Sequence, residues 1–108
     1  MIKYIKRINE LLEENIIPNE KSLNNLMSFI LISKPENISI FINEEGFFYI
    51  QKINKNKYIN ATFFLNEVQY NILIKENDIL GQESKILEDI YKKTRIEEFI
   101  KDFKKMQF

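Results

Sequence analysis

The period of the apolar positions changes along the chain, and the changes divide it into elements. Over residues 2–16, Ile2, Ile5, Ile8, Leu12 and Ile16 share one side at roughly 100° per residue, with Leu11 at its edge. Lys3, Lys6, Arg7, Glu10, Glu13 and Glu14 share the other, which predicts an amphipathic helix with a core-facing stripe. Ile17-Pro18-Asn19 interrupts it, and Asn19 is suited to cap a second helix by accepting a free backbone N–H. Leu23, Leu26, Met27 and Ile30 then recur at helical spacing. The run Phe29-Ile30-Leu31-Ile32 is apolar all round, which predicts deep burial of this helix end. Pro35 stops the helix and pushes Lys34 towards an extended conformation.

From residue 38 the period drops to two. Four strands are expected, over residues 38–42, 47–53, 58–65 and 68–74. The breaks between them are Asn43-Glu44-Glu45-Gly46, Asn54-Lys55-Asn56-Lys57 and Asn66-Glu67. Gly46 is free to take a positive φ. Connections this short predict an antiparallel meander.

The last part of the chain returns to helical spacing, but on two sides. Ile86, Leu87, Ile90 and Tyr91 cluster on one helix face. Ile96, Phe99, Ile100 and Phe103 cluster about 200° further round. Thr94-Arg95-Ile96-Glu97 has the form of a capping box, with Thr capping the start and Glu reaching back. The expectation is two helices, at 84–93 and 95–106, broken near Thr94. The alternative is one helix with core on one side and a partner on the other. The fold class is therefore α+β: two N-terminal helices, a four-stranded antiparallel meander and a broken C-terminal helix, in one domain spanning 1–108.

Alternation also sorts the strands into two faces. If Ile38, Ile40, Ile42, Phe48, Ile50, Ile59, Ala61, Phe63, Val68, Tyr70 and Ile72 face the helices, the rest face away. The opposite set includes Phe41, Phe47, Tyr49, Gln51, Ile53, Tyr58, Asn60, Thr62, Phe64, Gln69, Asn71 and Leu73. It is rich in aromatics and amides and nearly free of charge, a composition like the centre of a protein interface. Phe41, Tyr49, Gln51, Tyr58, Asn60, Thr62, Phe64 and Asn71 are the candidate protein-binding residues. Two other uses of the face stay open: cover by the C-terminal helices, and stacking of single-stranded RNA bases. The glycine-aromatic motifs of the RNA-binding sheet module are absent.

Composition narrows the chemistry. The 108 residues include no His, Cys or Trp. Metal sites with nitrogen or sulfur ligands, the commonest general base and the thiol nucleophile are therefore missing. Gly46 and Gly81 are the only glycines, so there is no glycine-rich phosphate loop. No Ser–Lys motif stands out, and the carboxylates read as helix surface. Glu44-Glu45 and Glu76-Asn77-Asp78 lack the spacing of a calcium loop and read as turn chemistry. No enzyme activity and no cofactor are expected.

Charge is balanced, with 16 basic and 16 acidic residues mixed along the chain. That argues against a strong field for nucleic acid or an anionic membrane. Three basic groupings remain: Lys52, Lys55 and Lys57 around one turn, Lys92, Lys93 and Arg95 around the C-terminal break, and Lys101, Lys104 and Lys105 near the end. The last two together are the candidate nucleic-acid surface. No apolar run approaches the roughly 18 residues that span a bilayer, and the first residues carry charge throughout, so a cytoplasmic location in a bacterial cell is expected.

Asn15 to Pro18, Leu23 to Leu31, Pro35 to Ile40 and Glu45-Gly46 to Ile50 together resemble a loose group of small uncharacterised prokaryotic proteins. These have a helix, a proline-started second helix, Pro-x-Ile, an acidic-Gly turn and a strand meander. The group usually carries Trp where this chain has Lys52. The resemblance covers about two-thirds of the chain and implies the fold outline, with no activity attached.

Ile, Asn and Lys are abundant, while Ala61 is the only alanine and Arg7 and Arg95 the only arginines. Codon composition explains this as an AT-rich genome, bacterial or phage. A small, charge-balanced, His- and Cys-free chain from such a source fits accessory cargo of phages and mobile elements. The expected function is non-enzymatic protein binding of the inhibitor type: an anti-CRISPR or other anti-defence inhibitor, an antitoxin or an immunity protein. The expected partner is a protein, with a homodimer as a further option and no membrane. A nucleic-acid-binding regulator is the alternative.

Overall fold

Strand alternation and one capped helix set the architecture. The computed structural model describes residues 2–75 and 86–106. The elements are α1 (Ile2–Leu12), α2 (Glu20–Ser33), β1 (Ser39–Ile42), β2 (Phe48–Asn54), β3 (Lys57–Phe63), β4 (Val68–Lys75), β5 (Ile86–Thr94) and α3 (Ile96–Met106). The strands form one antiparallel sheet in the order β1-β2-β3-β4-β5, and each pairs with its sequence neighbour. The fold is α+β, with three helices and five strands among the described residues, where four strands were expected.

The inward set is as the alternation predicts. Ile38, Ile40, Phe48, Ile50, Ile59, Ala61, Phe63, Val68 and Tyr70 are all buried, and Ile42 and Ile72 pack against them. The helices lie on this same face. Phe29 of α2 is fully buried and has ring contacts with Phe63 at 5.6 Å, Phe99 at 5.3 Å and Phe103 at 4.9 Å. Phe99 in turn meets Tyr70 at 5.1 Å. Aromatic pairs at these distances contribute beyond their buried area, so this cluster clamps α2, α3 and the middle of the sheet together.

Polar groups fix the ends of these elements. Asn19 caps α2 as expected, accepting the Ser22 N–H at 3.0 Å. Ser22 is itself buried, and its hydroxyl donates to the Phe63 carbonyl at 2.6 Å and accepts from the Phe48 N–H at 2.8 Å. The β2–β3 ladder ends one step earlier, at Tyr49 and Thr62. The serine hydroxyl thus serves a buried N–H and C=O that the ladder leaves over. Gly46 has φ +89°, and a Cβ there would overlap the Ile17 carbonyl oxygen.

Several expectations are corrected. The expected helix at 84–93 is, over its described residues, strand β5, paired along β4 from Val68↔Thr94 to Lys75↔Ile86 with one irregularity at Ile74/Lys75. A solitary helix of that length is marginal in water, whereas the strand satisfies the whole open edge of β4. The break near Thr94 is therefore a strand-to-helix junction. The capping box does not form: Thr94 ends β5 with its Oγ1 buried and without a hydrogen bond, and the Arg95 carbonyl accepts the first helical bond, from the Phe99 N–H at 3.0 Å.

The first helix ends at Leu12 and buries Tyr4, Ile8 and Leu11, while Ile2, Ile5 and Leu12 are exposed. Its inward face is roughly a quarter turn from the aliphatic stripe, counting 100° per residue. The Tyr4 hydroxyl explains the rotation: it donates to the Pro35 carbonyl at 2.8 Å and accepts from the Ile38 N–H at 3.4 Å. At the end of α2, Leu31 and Ile32 are more than half exposed, so only Phe29 and Ile30 of the apolar run are buried. Lys34 is left-handed rather than extended, with φ 46°, and its N–H bonds the Ile30 carbonyl. Proline disfavours only the right-handed helix for the residue before it, and a left-handed cap satisfies that rule as well. Lys52 leaves its expected surface cluster: it points inward opposite Ile59 and is buried. Burial lowers its pKa, partly opposed by the Glu36 carboxylate.

Two outcomes follow. Ser22→Ala strands a buried donor and a buried acceptor, and should cost roughly 2–4 kcal/mol in urea denaturation. The Tyr70 hydroxyl donates to Asp102 Oδ2 at 2.7 Å. Burial first, then the bond to Asp102, raises the Tyr70 pKa above its ordinary 10.0. A raised folded-state value means this contribution is fully present below about pH 10 and fades above it. Tyr70→Phe should therefore be less stable than wild type near neutral pH, with the gap closing as pH climbs past 10.

Candidate interaction surface

With the three described helices on the inner face, the described side chains that line the sheet's outer face include none that is buried. The strand registers arrange them in rows across the strands. One row runs Phe41, Tyr49, Thr62, Gln69 and Lys93. The next runs Gln51, Asn60, Asn71 and Tyr91. A third runs Ile53, Tyr58, Leu73 and Asp89. Phe64 lies just past β3 and meets the Phe47 ring at 4.9 Å. All eight candidate protein-binding residues therefore belong to one surface: Phe41, Tyr49, Gln51, Tyr58, Asn60, Thr62, Phe64 and Asn71.

The aromatic end is ordered by stacking. Phe41 and Tyr49 lie 5.2 Å apart with ring planes 24° from parallel. The Arg7 guanidinium, reaching around from α1, sits 5.7 Å from the Phe41 ring centre. At the other end Lys75 Nζ sits 4.7 Å over the Tyr58 ring. Between them, Gln51, Ile53, Tyr58, Asn60, Asn71 and Leu73 line a hollow of about 210 Å³. Its amides carry both donors and acceptors and no net charge, so they can match the backbone of a docked chain in either polarity.

Comparison with protein-family models, with curated proteins and with solved structures finds no match.

The six basic candidates are dispersed. Lys92 is opposite inward-facing Tyr70, and Lys93 is opposite outward-facing Gln69, so the sheet lies between their side chains. Arg95 is in the β5–α3 junction, and Lys101, Lys104 and Lys105 are on the exposed side of α3. Glu97 and Glu98 occupy the first turn of that helix and Lys104 and Lys105 the last, the arrangement that complements its dipole. Among the described residues no cluster of three or more acids could hold a metal ion, and no helix is long and apolar enough to cross a membrane. Glu76-Asn77-Asp78 lies outside the described residues.

Three contributors escaped sequence reasoning. Tyr91 was read on a helix but joins the outer face, donating from its hydroxyl to Gln69 Oε1 at 2.9 Å. Arg7, expected on the polar face of the first helix, lies over the Phe41 ring, and Lys75, just past the expected fourth strand, lies over the Tyr58 ring. No local signal gives the Arg7 placement, because it depends on how α1 docks beside β1. The measurable consequence of half-buried packing is a small stability cost. Tyr49→Ala loses one stacked pair, and should lower unfolding free energy by about 1 kcal/mol, whereas inward Phe48→Ala should cost about 3–5 kcal/mol in the same titration.

Proposed function

We propose that this protein is a small non-enzymatic protein-binding module whose outer sheet face docks a partner protein. The observation that carries the reading is the uncharged surface of aromatics and amides on β1–β4, left without a helix over it among the described residues. Aromatic anchors surrounded by uncharged polar groups are the composition of interface centres, where desolvating charge is costly. The stacked Phe41–Tyr49 pair is already ordered, so little side-chain entropy is lost on docking.

The type of module we infer is an inhibitor: an anti-CRISPR or other anti-defence inhibitor, an antitoxin or an immunity protein of a phage or mobile element. Such proteins act by occupying a surface of their target, which needs one well-formed face and no reaction chemistry. The absence of His and Cys and the AT-biased composition fit that role. The nucleic-acid regulator ranks second, since its lysines are divided between the two sides of the sheet and α3.

The test is affinity capture from an extract of the organism that carries the gene, with nuclease treatment and a high-salt wash. A stoichiometric protein retained by wild type and lost with Tyr49→Ala or Thr62→Glu is the expected result. Recovery of nucleic acid alone, released by salt as phosphate contacts are, would replace the reading with the regulator. A protein partner indifferent to both substitutions would move the interface off this face.

A further inference from the structure

The two edges of the sheet are finished differently. At β1, α1 covers the edge: Tyr4 bonds the Ile38 N–H and Arg7 Nε donates to the Ile40 carbonyl at 3.0 Å. At β5 no described strand or helix pairs with the outer edge. Helix α3 turns inward, where Phe99 meets Phe63 on β3 and Tyr70 on β4. Strand β5 is nine residues long and exposed along almost all of it, including Ile86, Leu87 and Tyr91 at 59%, 63% and 53%. An uncovered edge of that length is a template for another strand.

The order of charges on β5 specifies which strand. Its sequence is Ile86-Leu87-Glu88-Asp89-Ile90-Tyr91-Lys92-Lys93-Thr94, acidic before the centre and basic after it. Each face carries one of each sign. Glu88 and Lys92 point inward with Ile74 and Tyr70, and Asp89 and Lys93 point outward with Leu73 and Gln69. A second β5 laid antiparallel therefore sets acid against base, and a parallel one sets like against like.

We propose that a second copy of this chain pairs antiparallel with β5, about a two-fold axis at Ile90. That register lays the two β5 strands along each other from Ile86 opposite Thr94 inward, interrupted only at the irregularity beside Leu87. It places Glu88 opposite Lys92 of the second copy, twice, on the inner side. On the outer side it places Asp89 diagonal to Lys93, within reach of long side chains. Ile90 meets its own copy at the axis. Lysines on a bare edge ordinarily repel an incoming strand. Here the acids four positions earlier turn that repulsion into selection for an identical, antiparallel strand. The axis is perpendicular to the sheet, so both outer faces point the same way and form one ten-stranded platform. The inference stands apart from the partner reading, because it uses the edge and not the face.

Sedimentation of the full chain is the first readout, with wild type expected as a dimer. Glu88→Lys makes β5 basic throughout on its inner side and Lys92→Glu makes it acidic, and each should weaken self-association by about ten-fold or more. Mixed together, the two variants should form a heterodimer of near wild-type affinity, and E88K/K92E in one chain should restore the homodimer. Both sites are exposed, so circular dichroism should show folded protein in every case. The chain has no native Cys, so Ile90→Cys gives a second measurement: a short thiol cross-linker should join Cys at this position to its copy and should not join Lys93→Cys to its own. A wild-type monomer at all concentrations would overturn the proposal. So would a dimer untouched by the charge reversals, or one cross-linked equally well from either position.

Discussion

The hydroxyl of Ser22 joins three elements that the rest of the structure is arranged around. It takes the Phe48 N–H from β2 and gives its proton to the Phe63 carbonyl of β3, at the point where the ladder between those strands stops. Two more bonds act at the same corner: the Asn19 N–H to the Gly46 carbonyl, and Asn25 Nδ2 to the Phe64 carbonyl. Together they hold the N-terminal half of α2 over one face of the sheet. Once α2 is there, Phe29 is the apolar surface available to α3, and the Phe99 and Phe103 rings settle against it. Both helices therefore take the same face, and among the described residues no helix lies on the other.

The corner also constrains the turn before β2. Gly46 presses against the Ile17 carbonyl where a side chain would collide, and its positive φ is strained for any L side chain. Asn43 shapes the same turn by accepting the Glu45 and Phe47 N–H groups at 3.0 Å each. Phe47 and Phe48 thereby leave the turn with fixed and opposite orientations, one to the outer face and one to the core. A residue slip here would exchange the two faces of β2. The turn thus protects the division of the sheet into an inward and an outward side.

What was legible in the chain follows from how local each decision is. The period-two pattern of β1–β4 depends on neighbours two residues apart, and the inward isoleucines and Phe48, Phe63 and Tyr70 are where alternation puts them. The eight candidate residues fall on one face for the same reason. Strand β5 was not legible, because it is exposed on both sides and carries no alternation to read. Ile86, Leu87, Ile90 and Tyr91 have helical spacing by coincidence, and the demand that overrides it, the open edge of β4, lies outside the segment. Helix α1 was read with its aliphatic stripe inward, but a tyrosine with two buried backbone partners outweighs two isoleucines that water can wet. Lys52 follows the strand register inward despite its charge, since a slip of one residue would expose Phe48 and Ile50.

A sheet face that carries exposed rings has to be reconciled with water. Here the solution is distributed. The rings pair with one another, Phe41 on Tyr49 and Phe47 on Phe64, so each presents less of itself to solvent. Arg7 and Lys75 lay their charged ends over Phe41 and Tyr58 from the rims. A cation over an exposed ring contributes about 0.5–1 kcal/mol, enough to bias a long side chain. The centre of the face is filled by Gln51, Asn60 and Asn71, whose amides hydrogen-bond water freely and lose less on desolvation than a carboxylate or ammonium does. Charge is kept to the perimeter, at Arg7, Lys75 and β5. That distribution breaks up the apolar surface of an outer face that no described helix covers.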